Sequence, residues 1–199
     1  MAFDFATMQT EVFGRGFDYL NDAGTGLTRV KRWINDAMHQ VDEMERWDYL
    51  FTTVAGAPPL TIADLRTVED VVALSGLPLP EQDRRILSNV FGDLTNAGTA
   101  AYWYRSSATQ VSVYPVNAAN ITVRYWKFGP DLVSGTDAPL MPDRFRPVIV
   151  ELACSKAFRD SGDRNQSNDC LQEVQRLLDA MRQTLVPRGM TRPVAAVSK

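Results

Sequence analysis

A mixed α+β fold, in which a helical bundle of about four main helices carries an inserted antiparallel β-sheet arm, follows from three patterns in this 199-residue chain. Apolar residues recur at steps of three and four near both ends, the period of an amphipathic helix. Between residues 100 and 128 the apolar positions alternate with a period of two, as in half-buried strands. Proline and glycine clusters separate the two regimes.

Phe5, Met8 and Val12 lie at helical spacing, and Gly14 and Gly16 follow, which predicts a short helix over 4–13 and a loop over 17–24. Leu27, Val30, Ile34, Ala37, Val41 and Met44 then fall on one helical face. The helix predicted over 27–46 has Thr25 or Thr28 as its cap and is about 30 Å long. Its other face, Lys31, Arg32, Asp36, Gln40 and Glu43, is a solvated or subunit-facing side.

From Phe51 to Leu74 the chain reads as extended, with Leu60-Thr61-Ile62 and Val68 to Leu74 rich in β-branched residues. Pro78 and Pro80 introduce a helical stretch near 81–92 with Ile86, Leu87 and Val90 apolar. Three strands follow, carrying Tyr102/Tyr104, Val111/Val113 and Ile121/Val123/Tyr125 on alternate positions, and they predict an antiparallel meander. The alternation changes face at Trp126-Lys127-Phe128, the mark of a bulge or a strand end.

Pro142-Asp143 opens a further helix, with Phe145, Val148, Ile149, Leu152, Ala153 and Cys154 buried and Arg144, Glu151, Ser155 and Arg159 as its polar stripe. Ser161-Gly162-Asp163 reads as the turn of a helical hairpin, and Asp163 to Gln166 resembles a capping box. Leu171, Val174, Leu178, Met181 and Leu185 repeat as 3-4-3-4 until Pro187. The expected organisation is one domain over 1–185, with a helical frame at 1–50 and 141–185 and a β-rich insertion at 51–140. A flexible basic tail over 186–199 completes it. Arg188, Arg192 and Lys199 give that tail +3 with no acid, which leaves −6 on residues 1–185 from a total of −3.

The apolar share of 45% is enough for a real core, and the net charge of −3 argues against a dedicated nucleic-acid binder. No apolar run approaches the ~20 residues of a membrane span. The N-terminus has no basic region followed by an apolar stretch, so the expected place of synthesis is a cytoplasm. Two cysteines make no disulfide framework. Cys154 and Cys170 each lie eight residues from Gly162, so they could face each other as small, buried, reduced side chains.

Candidate chemistry is sparse. The single histidine, His39, lies off the apolar stripe of its helix and reads as solvent-exposed, the other reading being a catalytic or metal role with nearby acids. Asp18/Asp22 and Asp36/Asp42/Glu43/Glu45 read as solvated acids rather than paired carboxylates. Gly24-Thr25-Gly26 is a turn before a helix, and no phosphate-binding glycine run or zinc spacing appears. Tyr102, Trp103, Tyr104, Tyr125 and Trp126 offer a stacking platform for bases or sugars on one reading. On the other they are core and cross-strand pairs. An alternative function, a stand-alone ligand-binding module using Trp103 and Trp126, depends on the first. The readings together name no catalytic residue, metal ligand or cofactor.

The order of parts resembles the head-to-tail adaptor (head-completion, connector) proteins of tailed bacteriophages and gene transfer agents. The resembling elements are Arg32-Trp33-Ile34-Asn35-Asp36-Ala37 leading to Glu45-Arg46-Trp47-Asp48-Tyr49-Leu50, then Tyr102-Trp103-Tyr104 and Val111 to Val116. Ile121 to Trp126 and Asp137-Ala138-Pro139-Leu140-Met141-Pro142-Asp143-Arg144-Phe145 complete them. The resemblance implies a neck protein of the virion, made in the host cytoplasm and assembled as a dodecameric ring beneath the portal. Its implied partners are its own copies, the portal protein and the next neck or tail protein. DNA would pass through the lumen without sequence-specific binding, and neither enzyme activity nor a membrane partner is implied. The portal-binding element would be the tail, represented by Val186, Pro187, Arg188, Arg192, Pro193 and Lys199. An acidic body suits a conduit, because each Lys or Arg contact to phosphate adds salt-sensitive affinity that would hold DNA back.

Overall fold

In the computed structural model, which describes residues 3–20, 24–74 and 76–186, the fold is mixed α+β with five α-helices and two antiparallel sheets among those residues. The chain divides into a helical unit, Met1–Tyr49 with Pro130–Lys199, and a β-rich unit, Leu50–Gly129.

The helical unit begins with α1 (Phe5–Val12), capped by the Asp4 carboxylate, which accepts from the Thr7 amide (2.9 Å) and hydroxyl (2.8 Å). Phe5, Met8 and Val12 are buried, as their spacing requires. The α-helix stops before Gly14, within the expected 4–13, whereas the loop expected over 17–24 is corrected at its start; residues 21–23 lie outside the described residues. A π-turn over Phe13–Phe17 and a 3₁₀ turn over Asp18–Leu20 carry the chain onward, and only Gly16 takes a left-handed conformation (φ 102°). Burial of Phe13 and Phe17 outweighs the low helix propensity of glycine.

Helix α2 spans Thr25–Met44. Gly24 stands at its cap and Thr28 donates its hydroxyl to the Gly24 carbonyl (3.3 Å), so neither predicted threonine caps the helix. Trp33 and Met38 are buried beside the predicted stripe, whereas Met44 is exposed. The buried Trp47 indole N–H donates to the Val41 carbonyl (2.7 Å), occupying one of the acceptors that a helix end leaves open.

Helices α4 (Pro147–Ser161) and α5 (Arg164–Leu185) form the predicted hairpin. Gly162 takes the left-handed conformation (φ 87°) and donates to the Arg159 carbonyl (3.1 Å), while Asp163 accepts from the Gln166 amide (3.1 Å). Helix α4 packs on both α2 and α5, so its burial is broad. Glu151 and Ser155, expected on a polar stripe, are therefore buried. Glu151 is ion-paired with Arg15, and Ser155 shares hydrogen bonds with Ser167 (3.0 Å between hydroxyls, 2.9 Å from the Ser167 hydroxyl to the Ser155 carbonyl). On α5, Val174, Leu178 and Met181 are buried and Leu171 is exposed.

Residues 130–142 lie in this unit as a strap without helix or strand. Asn35 grips it by donating to the Leu132 carbonyl (3.0 Å) and accepting from the Leu132 amide (2.8 Å). The amides of Phe5 and Ala6 donate to the carbonyls of Asp137 (2.7 Å) and Gly135 (2.9 Å). The buried Arg146 guanidinium donates to the carbonyls of Met141 (3.1 Å), Phe3 (2.7 Å) and Pro139 (3.0 Å), a fork that ties three backbone segments together.

In the β-rich unit, one sheet runs in the order β1 (Phe51–Gly56), β7 (Ile121–Lys127), β3 (Leu65–Val72), β4 (Pro78–Leu79). The other runs β2 (Leu60–Thr61), β6 (Gln110–Tyr114), β5 (Tyr102–Ser107). The predicted meander is corrected: β5 and β6 form a hairpin, but β7 crosses to the other sheet between β1 and β3. Strand β7 ends at Lys127, the strand end that the change of face near Trp126 signalled, while the register slips lie on the partner strand β3, between Leu65 and Thr67 and between Val68 and Asp70. Trp103, Val111, Val113, Val123 and Tyr125 fill the main apolar cluster of this unit. Helix α3 (Arg84–Phe91), shorter than predicted, adds Leu87 to Tyr104 and Tyr114 in a second cluster and leaves Ile86 and Val90 exposed.

Candidate interaction surfaces

The helical unit concentrates cations on one side of the α4–α5 hairpin. A cleft of ≈460 Å³ is lined by Gln40 of α2, Lys156 and Arg159 of α4, and Arg164 and Leu171 of α5, among others. A second, of ≈310 Å³, shares Lys156 and Arg159 and adds Arg29, Arg32, Asp36 and Asp160. Five cations thus face two carboxylates along one trough, in a chain that is acidic overall. Both carboxylates are engaged, since Asp36 lies 3.6 Å from Arg32 and Asp160 accepts from the Trp33 indole (3.1 Å). Arg29, Lys156, Arg159 and Arg164 have no carboxylate partner among the described residues. Burial lowers the pKa of the Lys156 ammonium; Asp36 opposes the shift and Arg159 adds to it.

The other side of the hairpin differs. A cleft of ≈330 Å³ is lined there by Arg15, Glu151, Phe158, Gln166, Asp169 and Glu173. Glu173 is paired with Arg176, whose hydrogen bonds hold its carboxyl below the usual range, while Asp169 is exposed. At ~100° per residue, Ser167, Asn168 and Leu171 share one face of α5 and Gln166, Asp169 and Glu173 share the face about 180° away. The two clefts therefore occupy opposite flanks of one helix pair.

His39 is not simply solvent-exposed: it is two-thirds buried and its Nε2 lies 2.6 Å from Asp131. Asp42 is buried and accepts from the Tyr49 hydroxyl (2.7 Å), and Glu45 pairs with Arg182 (3.2 Å), so these two, read as solvated acids, are instead held in structural contacts. Asp22 lies outside the described residues. Cys154 and Cys170 are buried free thiols. Burial, with a further push from Cys170, raises Cys154 to about 12, and burial raises Cys170 to about 11.

The stacking platform is corrected. Trp103, Tyr104, Tyr125 and Trp126 are buried, and Trp103 and Trp126 belong to different sheets, so they offer no shared face to a ligand. Of the tail positions, Val186 follows α5 in an extended conformation, and Pro187, Arg188, Arg192, Pro193 and Lys199 lie outside the described residues. Among the described residues, no group of three or more His, Cys, Asp or Glu is placed to hold a metal ion, and no helix is long and apolar enough to cross a membrane.

The trough was not legible in the sequence. Arg32 and Arg159 lie on polar faces in the sequence pattern, but only the packing of α2 on α4 brings them together. A family model described as SU10 adaptor protein matches residues 5–196, across both units. No curated protein matches the chain.

Proposed function

This chain belongs to the SU10 adaptor protein family, a phage head-to-tail adaptor family, and on that premise we propose that it is a structural neck protein joining the portal of the filled head to the tail. The observation that carries this reading is the family match, which spans nearly the whole chain rather than one element. We propose further that 1–185 acts as one adaptor domain and that copies assemble as a ring, a dodecamer, below the portal. Residues 186–199 attach to the portal, and DNA passes through the lumen during packaging and ejection.

Two physical features support this reading. The body, at −6 over residues 1–185, repels a polyanion moving through the ring. The buried contacts of the helical unit, such as the Arg146 fork, the Asn35 grip and the Ser155–Ser167 pair, hold backbone and helices in place. They are polar contacts of a scaffold, and the reading is non-enzymatic.

Removing the chain from its phage tests the proposal. Heads that package DNA but carry no tails, and recover them when the chain is supplied in trans, are the expected result. Tailed infectious particles made without it would overturn the reading.

A further inference from the structure

We propose that the cationic trough formed by Arg29, Arg32, Lys156, Arg159 and Arg164 docks a second copy of this chain, received through the carboxylate-bearing opposite flank of that copy's α4–α5 hairpin. The inference rests on the adaptor reading above and names the surface through which neighbouring copies meet.

Charge and geometry carry it together. The trough gathers unpaired guanidinium groups from three helices, and Arg presents a planar fork suited to carboxylates. The opposite flank of the same hairpin presents the exposed carboxylate of Asp169 and that of Glu173, the latter shared with Arg176 of its own helix, beside Gln166, with Arg15 there held by Glu151. Two complementary surfaces about 180° apart on one helix pair cannot satisfy each other within a single chain. Between chains they form a heterologous contact, in which a patch on one copy meets a different patch on the next, and such contacts generate rings when the rotation closes. Nucleic acid is the less favoured occupant. An Arg-lined exit path would retard a moving duplex, because each guanidinium contact to phosphate adds salt-sensitive affinity.

Complementary charge reversal tests this. The full chain is added to its portal, and bound copies are counted by native mass spectrometry. Circular dichroism first establishes that each variant is folded. Arg159→Glu/Arg164→Glu places acid against acid in every contact, and Asp169→Arg/Glu173→Arg places base against base. Each alone should lose bound copies at least tenfold. An equimolar mixture should regain assembly, because each variant's altered flank then meets the other's. Assembly of either variant alone at the wild-type level, or a mixture no better than its parts, would overturn the inference. So would loss of DNA binding by the trough variant with its assembly intact. A wild-type chain that ignores the portal would count against the adaptor reading alone. Sedimentation of the same variants and their mixture, at high protein concentration in low salt, then decides the docking surface separately.

Discussion

Asn35 of α2 and Leu132, 97 residues apart in sequence, exchange two hydrogen bonds, one in each direction between the side-chain amide and the backbone. This pairing fixes the 130–142 strap against the helical unit where no regular secondary structure does so. Asn35→Ala leaves the Leu132 amide and carbonyl without these partners, so we expect a loss of about 1–3 kcal/mol, the cost of leaving partly buried polar groups unmade. Urea denaturation checks the loss, and hydrogen exchange at the Leu132 amide should accelerate beyond the global change.

The buried thiols give a pH dependence with a definite sign. Cys154 and Cys170 are raised from 9.0 to about 12 and about 11 by burial, so the folded chain keeps protons that the unfolded chain releases. Their contribution to stability is complete below about pH 9 and declines as pH rises towards 11 and 12. Denaturation midpoints between pH 8 and 11 should fall, and fall less in Cys154→Ala/Cys170→Ala. At pH 8, an alkylating reagent should modify both thiols only after unfolding.

All four tryptophans, Trp33, Trp47, Trp103 and Trp126, are at most 7% exposed. Their emission should be blue-shifted and resist acrylamide quenching. Sugars or oligonucleotides should leave it unchanged. Strong quenching by such a ligand would revive the ligand-binding alternative.

Deleting residues 187–199 should leave the thermal midpoint within about 2 °C of the full chain, because no described core residue lies beyond Met181. Portal attachment should weaken at least tenfold. Calorimetry and a portal pull-down check the two halves of this prediction independently.

Sequence reading reached furthest where periodicity is local. Val30, Ile34, Ala37 and Val41 marked the buried face of α2, and Val174, Leu178 and Met181 marked that of α5. Gly162 marked the turn of the hairpin. It failed where the deciding partner is distant in sequence. Nothing near Ile121 signals that its strand leaves β6 to lie between β1 and β3. Glu151 and Ser155 read as surface residues because Arg15 and Ser167, which satisfy them, come from other parts of the chain. The cationic trough has the same origin: Arg29 and Arg32 meet Lys156 and Arg159 only through helix packing.

Electron microscopy of the purified chain mixed with its cognate portal tests the adaptor reading most directly. A ring of twelve copies seated on the portal, coaxial with its channel, is the result we predict. Portals that stay bare while the folded chain remains monomeric in solution would contradict it.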